Sequence, residues 1–207
     1  MVRRGSMPER AVMDPNVSVF LPINAFARDT QWLQGPMLDI AQYGVVVFVV
    51  LLGVGWWVAR RSGEAARQAA ALWAPIGTLL AVALNQPLAA MIGEPRPVVA
   101  VPGALILLPG AGDPGMPSDH ATMAGAVTIG LFLVSRRLGA ATAAAALLLA
   151  FSRVYVGAHF PFDVLVGLLT GAAISLLGWL VVRTWLVRLV RAVERTRLRP
   201  LLTAQRA

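Results

Sequence analysis

The stretch FSRVYVGAHFPFDVLVGLLTGAAISLLGWLVV, residues 151–182, sets a short polar cluster directly against an apolar run. From Val164 to Val182 no residue is charged. At about 1.5 Å of rise per residue, a helix over Asp163 to Val182 crosses a hydrocarbon core of roughly 30 Å. Just upstream stand Ser152 and Arg153, with His159 six residues after that Arg and Asp163 four after the His. Pro161 suits the first turn of a helix, where its missing N–H goes unneeded.

Working outward, four more apolar runs have comparable length: Leu38 to Ala59, Gln68 to Ile92, Ser118 to Val134 and Leu138 to Val156. With 57% hydrophobic and 14% charged residues, the chain reads as an all-α integral membrane protein, a bundle of about five transmembrane helices. Asn16 to Leu33 mixes Val17, Phe20, Ile23, Phe26 and Trp32 with Asn24, Arg28 and Asp29, the pattern of an interfacial amphipathic helix. Residues 1–36 are therefore expected to form a tail plus interfacial helix, 37–183 the membrane domain, and 184–207 a basic cytoplasmic tail lying as a helix on the inner surface. No signal peptide is expected, because nothing before Gly35 combines an apolar core with a small-residue cleavage site. The fourth run is rich in Ala, which suits close helix packing in lipid. Absence of cysteine excludes disulfides, thiolate metal sites and a Cys nucleophile.

All eighteen basic residues are Arg, and their placement orients the spans. Arg60, Arg61 and Arg67 follow the first run, Arg136 and Arg137 the third, and Arg183, Arg188, Arg191, Arg195, Arg197 and Arg199 the fifth. If these ends are cytoplasmic, the loops Gly93 to Pro117 and Gly157 to Phe162 lie outside, and Arg96, His120, Arg153, His159 and Asp163 gather there. Arg3, Arg4 and Arg10 disagree with this arrangement, which points to a translation start at Met7 or Met13. The net charge of +8 lies mostly in flanks and short loops, where anionic headgroups rather than nucleic acid are the expected partner.

The two histidines sit in polar clusters with different neighbours. One helical turn separates His159 from Asp163, so a carboxylate accepting the Nδ1 proton would leave Nε2 as a lone pair able to attack phosphorus. His120, at the mouth of the third run, is placed to protonate a departing oxygen. Arg96 and Arg153 at span ends are costly unless they pair or face a polar cavity, and guanidinium forks match phosphate oxygens. Ser118 opens the third helix, where its hydroxyl and the first backbone N–H groups would hold an anion. Asp119, next to it, is grouped with these phosphate-binding residues. With two histidines, no cysteine and few carboxylates nearby, neither a metal site nor a cofactor is expected.

These residues resemble the type 2 phosphatidic acid phosphatase superfamily of membrane lipid phosphatases. Its signature is Lys, six residues, Arg-Pro; then Pro-Ser-Gly-His; then Ser-Arg, five residues, His, three residues, Asp. The third part is complete as Ser152, Arg153, His159 and Asp163. The second stands as Pro117-Ser118-Asp119-His120, with Asp for Gly, and the first keeps Arg96-Pro97 but has Ala89 in place of Lys. Asn85 is a candidate to replace that lost cation in part. The resemblance implies attack by His159 to give a phosphohistidine, with Asp163 orienting it, His120 protonating the leaving group, and Arg96, Arg153 and Ser118 holding the phosphoryl oxygens. Asp119, with Asn24, Ala27 and Tyr43-Gly44, resembles the bacterial undecaprenyl-diphosphatase branch associated with bacitracin resistance.

That branch implies hydrolysis of a polyprenyl diphosphate to the monophosphate at the outer face of the bacterial cytoplasmic membrane. The apolar Val98 to Leu108 segment and the Pro/Gly-rich Pro109 to Met116 are expected to help admit the lipid. Phosphatidylglycerophosphate, phosphatidic acid or a polyprenyl-phosphosugar phosphate fit the same chemistry. A non-enzymatic lipid transporter fits the helices and basic flanks but not the His159 to Asp163 spacing. Oligomeric state is not readable from the chain.

Overall fold

A computed structural model describes residues 14–109 and 112–197, and every regular element among them is helical. In chain order these are α1 (Pro15–Asp29), α2 (Gln31–Tyr43), α3 (Val45–Ser62), α4 (Ala65–Ile92), the single turn α5 (Pro97–Ala100), α6 (Asp119–Val134), α7 (Arg136–Tyr155) and α8 (Pro161–Val193). The expectations about Arg3, Arg4, Arg10 and the translation start lie outside the described residues.

Four segments are long and apolar enough to cross a membrane: Val45–Ser62, Ala65–Ala100, Arg136–Tyr155 and Pro161–Val193. The expected third span, α6, has only 16 residues. At about 1.5 Å each it covers roughly 24 Å, less than the hydrocarbon core. It is instead the central helix, enclosed by α4, α7 and α8, and its residues Ala121, Ala124, Ala126, Val127 and Leu131 are at most 1% exposed. The outer surface carries the opposite pattern from a water-soluble bundle. Val46, Val49, Leu79, Leu84, Leu169, Leu177 and Val181 all stand exposed, an apolar belt that lipid tails would cover.

Three boundaries differ from expectation. The first apolar run is divided at Gly44, where a Cβ would meet the Ile40 carbonyl oxygen at 2.4 Å and Leu149 Cδ1 at 3.0 Å. Residues before it belong to α2, so a boundary at residue 36 falls inside a helix. Likewise α8 continues without a break to Val193, so residues 184–193 prolong the last span rather than forming a separate surface helix. Its 33 residues reach about 50 Å, well beyond one bilayer core. The helix expected over Asn16 to Leu33 is divided at Thr30 between α1 and α2. In α1 the inward residues Asn16, Val17, Phe20, Asn24 and Ala27 recur at helical spacing, while Val19 and Phe26 face outward.

Glycine brings α6 and α8 into backbone contact. A Cβ on Gly171 would lie 1.8 Å from the Thr122 carbonyl oxygen, one on Gly125 2.2 Å from that of Leu168, and one on Gly167 2.7 Å from that of Ser118. Gly167 and Gly171 form the small-xxx-small pattern that replaces hydrophobic driving force with close van der Waals packing in lipid. Trp73 of α4 seals the other flank by donating Nε1–H to the Ser175 carbonyl at 2.9 Å. This packing fixes the starts of α6 and α8 side by side, and the Ser118 N–H donates to the Asp163 carbonyl at 3.0 Å.

Candidate active site

His159 lies in the tight turn between α7 and α8. Gly157, at φ +76°, permits the left-handed backbone there, and a Cβ on it would meet the Leu105 carbonyl oxygen at 2.5 Å. The Ala158 and His159 N–H groups close back on the Arg153 carbonyl at 3.1 and 3.3 Å. The ring is 2% exposed. Its Nδ1 stands 3.0 Å from the Gly115 carbonyl oxygen, and a carbonyl only accepts, so Nδ1 carries the proton. Nε2 is then the lone pair, and Arg96 Nη1 donates to it at 3.1 Å.

The tautomer is the expected one, but its partner is not. Asp163 Oδ2 lies 3.4 Å from His159 Nδ1, a Coulombic rather than a hydrogen-bonding separation. That oxygen instead accepts the Phe160 N–H at 2.8 Å, as an acidic residue at the third helical position does for its N-cap. Asp163 thus holds the turn that carries His159. Burial, then the charges of Arg153 and Arg96, push the imidazole down to about 3, with Gly115 and Asp113 opposing. His159 is neutral at neutral pH, which a nucleophile requires.

The two arginines are held by backbone oxygens. Arg96 donates Nη1 to the Ala158 carbonyl at 3.1 Å and Nε to that of Asp113 at 3.0 Å, and its Nη2 pairs with Asp113 Oδ2 at 2.7 Å. Arg153 donates Nη1 to the Ala41 carbonyl of α2 at 3.0 Å. Its Nε, Ser118 Oγ and Asp163 Oδ1 are buried polar atoms with no hydrogen-bond partner among the described residues. Such an atom costs about 1–3 kcal/mol when left unsatisfied.

The second cluster is assembled differently from expectation. The Asp119 carboxylate accepts from Asn85 Nδ2 at 2.7 Å and from Gln86 Nε2 at 2.8 Å. It ties α6 to α4 while still bordering the cavity, and a carboxylate so placed can only accept hydrogen bonds there. Asn85 is fully buried, bonds the Pro117 carbonyl at 3.0 Å and accepts from Thr122 Oγ1 at 3.1 Å. It therefore does not stand in for the missing cation at Ala89. The Ser118 N–H is already engaged with Asp163, so that donor is not open to an anion.

Arg96, Asp119, His120, Arg153 and His159 line one cavity of about 370 Å³ together with Gln42, Leu108, Pro109 and Asp113. Ser118 and Asp163 are fully buried and are not among its lining residues. Gln42 and Asp113 were not singled out from sequence, since each is a lone polar residue with no spacing to a motif. Among the described residues no cluster of three or more His, Asp or Glu is placed to hold a metal ion. Asp119 and His120 also border a second, open groove of about 200 Å³ walled by Val45, Val82 and Met123. The Leu105 to Leu108 strap is fixed rather than loose. Asn24 clamps Leu105 through both its amide atoms at 2.8 and 2.9 Å, and the Leu107 and Leu108 N–H groups donate to the Val156 carbonyl at 2.9 and 3.3 Å.

The model of the PAP2 superfamily matches residues 70–186, more than half of the chain and a range that includes Arg96, His120, Arg153, His159 and Asp163. The chain belongs to the PAP2 superfamily. It is 31% identical over 162 residues to "Undecaprenyl-diphosphatase BcrC" of Bacillus subtilis (strain 168), covering 78% of this chain and 81% of that protein. It is 24% identical to the "Bacitracin transport permease protein BcrC" of Bacillus licheniformis, covering 78% and 77%. Among solved structures, the PAP2 type phosphatidylglycerolphosphate phosphatase from Bacillus subtilis shares the fold with a TM-score of 0.59 at 22% identity, covering 91% of this chain and 92% of that one. The protein is accordingly a multi-pass PAP2 membrane lipid phosphatase, a phosphoric ester hydrolase.

Proposed function

We propose that this PAP2 enzyme hydrolyses a polyprenyl diphosphate, undecaprenyl diphosphate above all, to the monophosphate and inorganic phosphate. The observation that carries this reading is a cavity holding two guanidinium groups and two imidazoles that adjoins an apolar groove. The charged head enters the cavity, and the hydrocarbon tail runs past Val45, Val82 and Met123 into lipid. The relative named as an undecaprenyl-diphosphatase at 31% identity supports this substrate over other lipid phosphates.

In the proposed mechanism His159 Nε2 attacks the terminal phosphorus. The P–N bond forms as the bond from phosphorus to the bridging oxygen breaks. The His120 imidazole, which burial and then the charge of Arg153 push down to about 4, takes up a proton as the anionic phosphoryl group enters beside it and gives that proton to the bridging oxygen as the lipid monophosphate leaves. His120 then takes a proton from water, which attacks the phosphohistidine, releases phosphate and restores His159. Arg96 and Arg153 hold the non-bridging oxygens as charge builds. Loss of one such preorganised donor costs about 10²- to 10³-fold in turnover. Asp163 keeps the His159 turn in place and offsets the positive charge of the phosphorylated ring. The arginines at the end of α3, the start of α7 and the end of α8 favour a cytoplasmic assignment for the opposite pole, so we assign the cavity to the outer face of the cytoplasmic membrane.

The test is phosphate release from undecaprenyl diphosphate, phosphatidylglycerophosphate and phosphatidic acid in detergent, with and without EDTA, for the wild type and His159→Ala. The expected result is a preference for the diphosphate, indifference to EDTA and an inactive variant. Preference for a monophosphate lipid would reassign the substrate, and an active His159→Ala would overturn the mechanism.

A further inference from the structure

Every nitrogen of Arg96 is engaged. Nε and Nη2 are taken by the carbonyl and carboxylate of Asp113, and Nη1 by Ala158 and the lone pair of His159. Arg96 is 9% exposed and, with Asp113, lies between the active-site cavity and a neighbouring one. A phosphoryl group can take this fork only where a carboxylate is not already on it, because two anions on one guanidinium repel. The nucleophile likewise becomes free only when Nη1 turns from Nε2 toward a phosphoryl oxygen.

The Asp113 side chain is half exposed, and its loop is pinned on both sides, by Leu107 and Leu108 to Val156 and by Gly115 to Glu94. The carboxylate can therefore swing without the loop leaving its place. It also borders a neighbouring cavity of about 240 Å³, lined by Gly93, Pro95, Val98 and Glu94. The Glu94 carboxylate there is occupied by Asn16.

We propose that Asp113 is a built-in competitor for the phosphate site: it holds Arg96 over the nucleophile in the resting enzyme and is displaced by the incoming phosphoryl group. On the return half of the cycle it recaptures Arg96 and helps expel inorganic phosphate. This rests on the phosphatase reading above and adds to it a residue that sets affinity without touching the reacting atoms.

Asp113→Asn keeps the shape and removes the competing charge. With Asp113 half exposed, solvent screens the pair to about 1 kcal/mol, so KM and the inhibition constant for inorganic phosphate should both fall about fivefold. With product leaving more slowly, kcat should not rise, and Asp113→Glu should restore wild-type constants. An inhibition constant that is unchanged or raised in Asp113→Asn would overturn the proposal, since Asp113 would then only buttress Arg96. A second readout needs no change at Asp113. The ¹⁵N resonance of His159 Nε2 should move when phosphate or vanadate saturates the otherwise wild-type enzyme, and an unmoved resonance at saturation counts against the displacement. Wild type that neither cleaves any lipid phosphate nor binds phosphate would bring down the underlying reading, whereas tight phosphate binding indifferent to Asp113 would sink this inference alone.

Discussion

Gly171→Ala should cripple turnover, although residue 171 lies eight positions along α8 from Asp163, about 12 Å at 1.5 Å per residue. The added Cβ would sit 1.8 Å from the Thr122 carbonyl oxygen, 2.7 Å from its carbon and 3.0 Å from the Ala126 nitrogen. All three are backbone atoms of α6, so no side-chain rotation relieves the overlap. An ordinary carbon–oxygen contact is about 3.3 Å, so α8 must retreat from α6 by roughly 1.5 Å. Overpacking of this kind typically costs about 1–3 kcal/mol. The larger effect is on geometry, because α6 carries His120 while α8 anchors the turn holding His159. A displacement near 1 Å can cost about 10²-fold in rate, so kcat for phosphate release should fall about a hundredfold with a modest drop in the denaturation midpoint. Gly53→Ala, where no atom lies within 4 Å of the added carbon, should leave both unchanged. A folded Gly171→Ala enzyme with wild-type kcat would refute the claim that this helix contact sets the site.

Three further outcomes follow from the same geometry. His120→Gln leaves His159 as the only imidazole in the chain, and its ¹⁵N signals should report a neutral Nδ1–H ring down to below pH 4, since burial and the two arginines hold it at about 3. Between the ordinary value of 6.5 and the folded value of about 3 the unfolded chain binds the extra proton. Stability contributed by neutral His159 is therefore complete above pH 6.5 and lost progressively toward pH 3, and His159→Gln should flatten the midpoint's dependence on pH across that window. Asn85→Leu strands the Pro117 carbonyl, Asp119 Oδ1 and Thr122 Oγ1 without their partner. At about 1–3 kcal/mol for each unsatisfied buried group, a clearly lower denaturation midpoint is expected, and an unchanged one would remove the α4 to α6 tie from the account.

The helices were legible where apolar length and an end signal coincided, as at Pro161, Ser118 and the Arg pair in the last turn of α3. The break at Gly44 was not, because it depends on Leu149 and the Ile40 carbonyl crowding a position that looks apolar throughout. The continuity of α8 was also hidden. Alternating Arg and Leu after Val182 reads equally as a surface helix or as the prolongation of a span. At the site, motif spacing brought Arg96, His120, Arg153 and His159 to one cavity. What spacing could not say was which oxygen takes the His159 proton, since the Gly115 carbonyl has no side-chain signature. The amide partners of Asp119 were hidden for a similar reason: Asn85 and Gln86 lie on α4, more than thirty residues away. Asp113 stood in a Pro/Gly-rich loop with nothing in sequence to connect it to Arg96.

The central claim is that His159 Nε2 takes the phosphoryl group from a lipid diphosphate. Purified enzyme mixed with excess undecaprenyl diphosphate labelled at the terminal phosphorus, quenched in base within one turnover and digested, tests it directly. The account predicts acid-labile, base-stable label on the peptide containing His159, attached at Nε2 and absent from His159→Ala. Release of labelled phosphate with no protein-bound label at any time, or label on another residue, would contradict it.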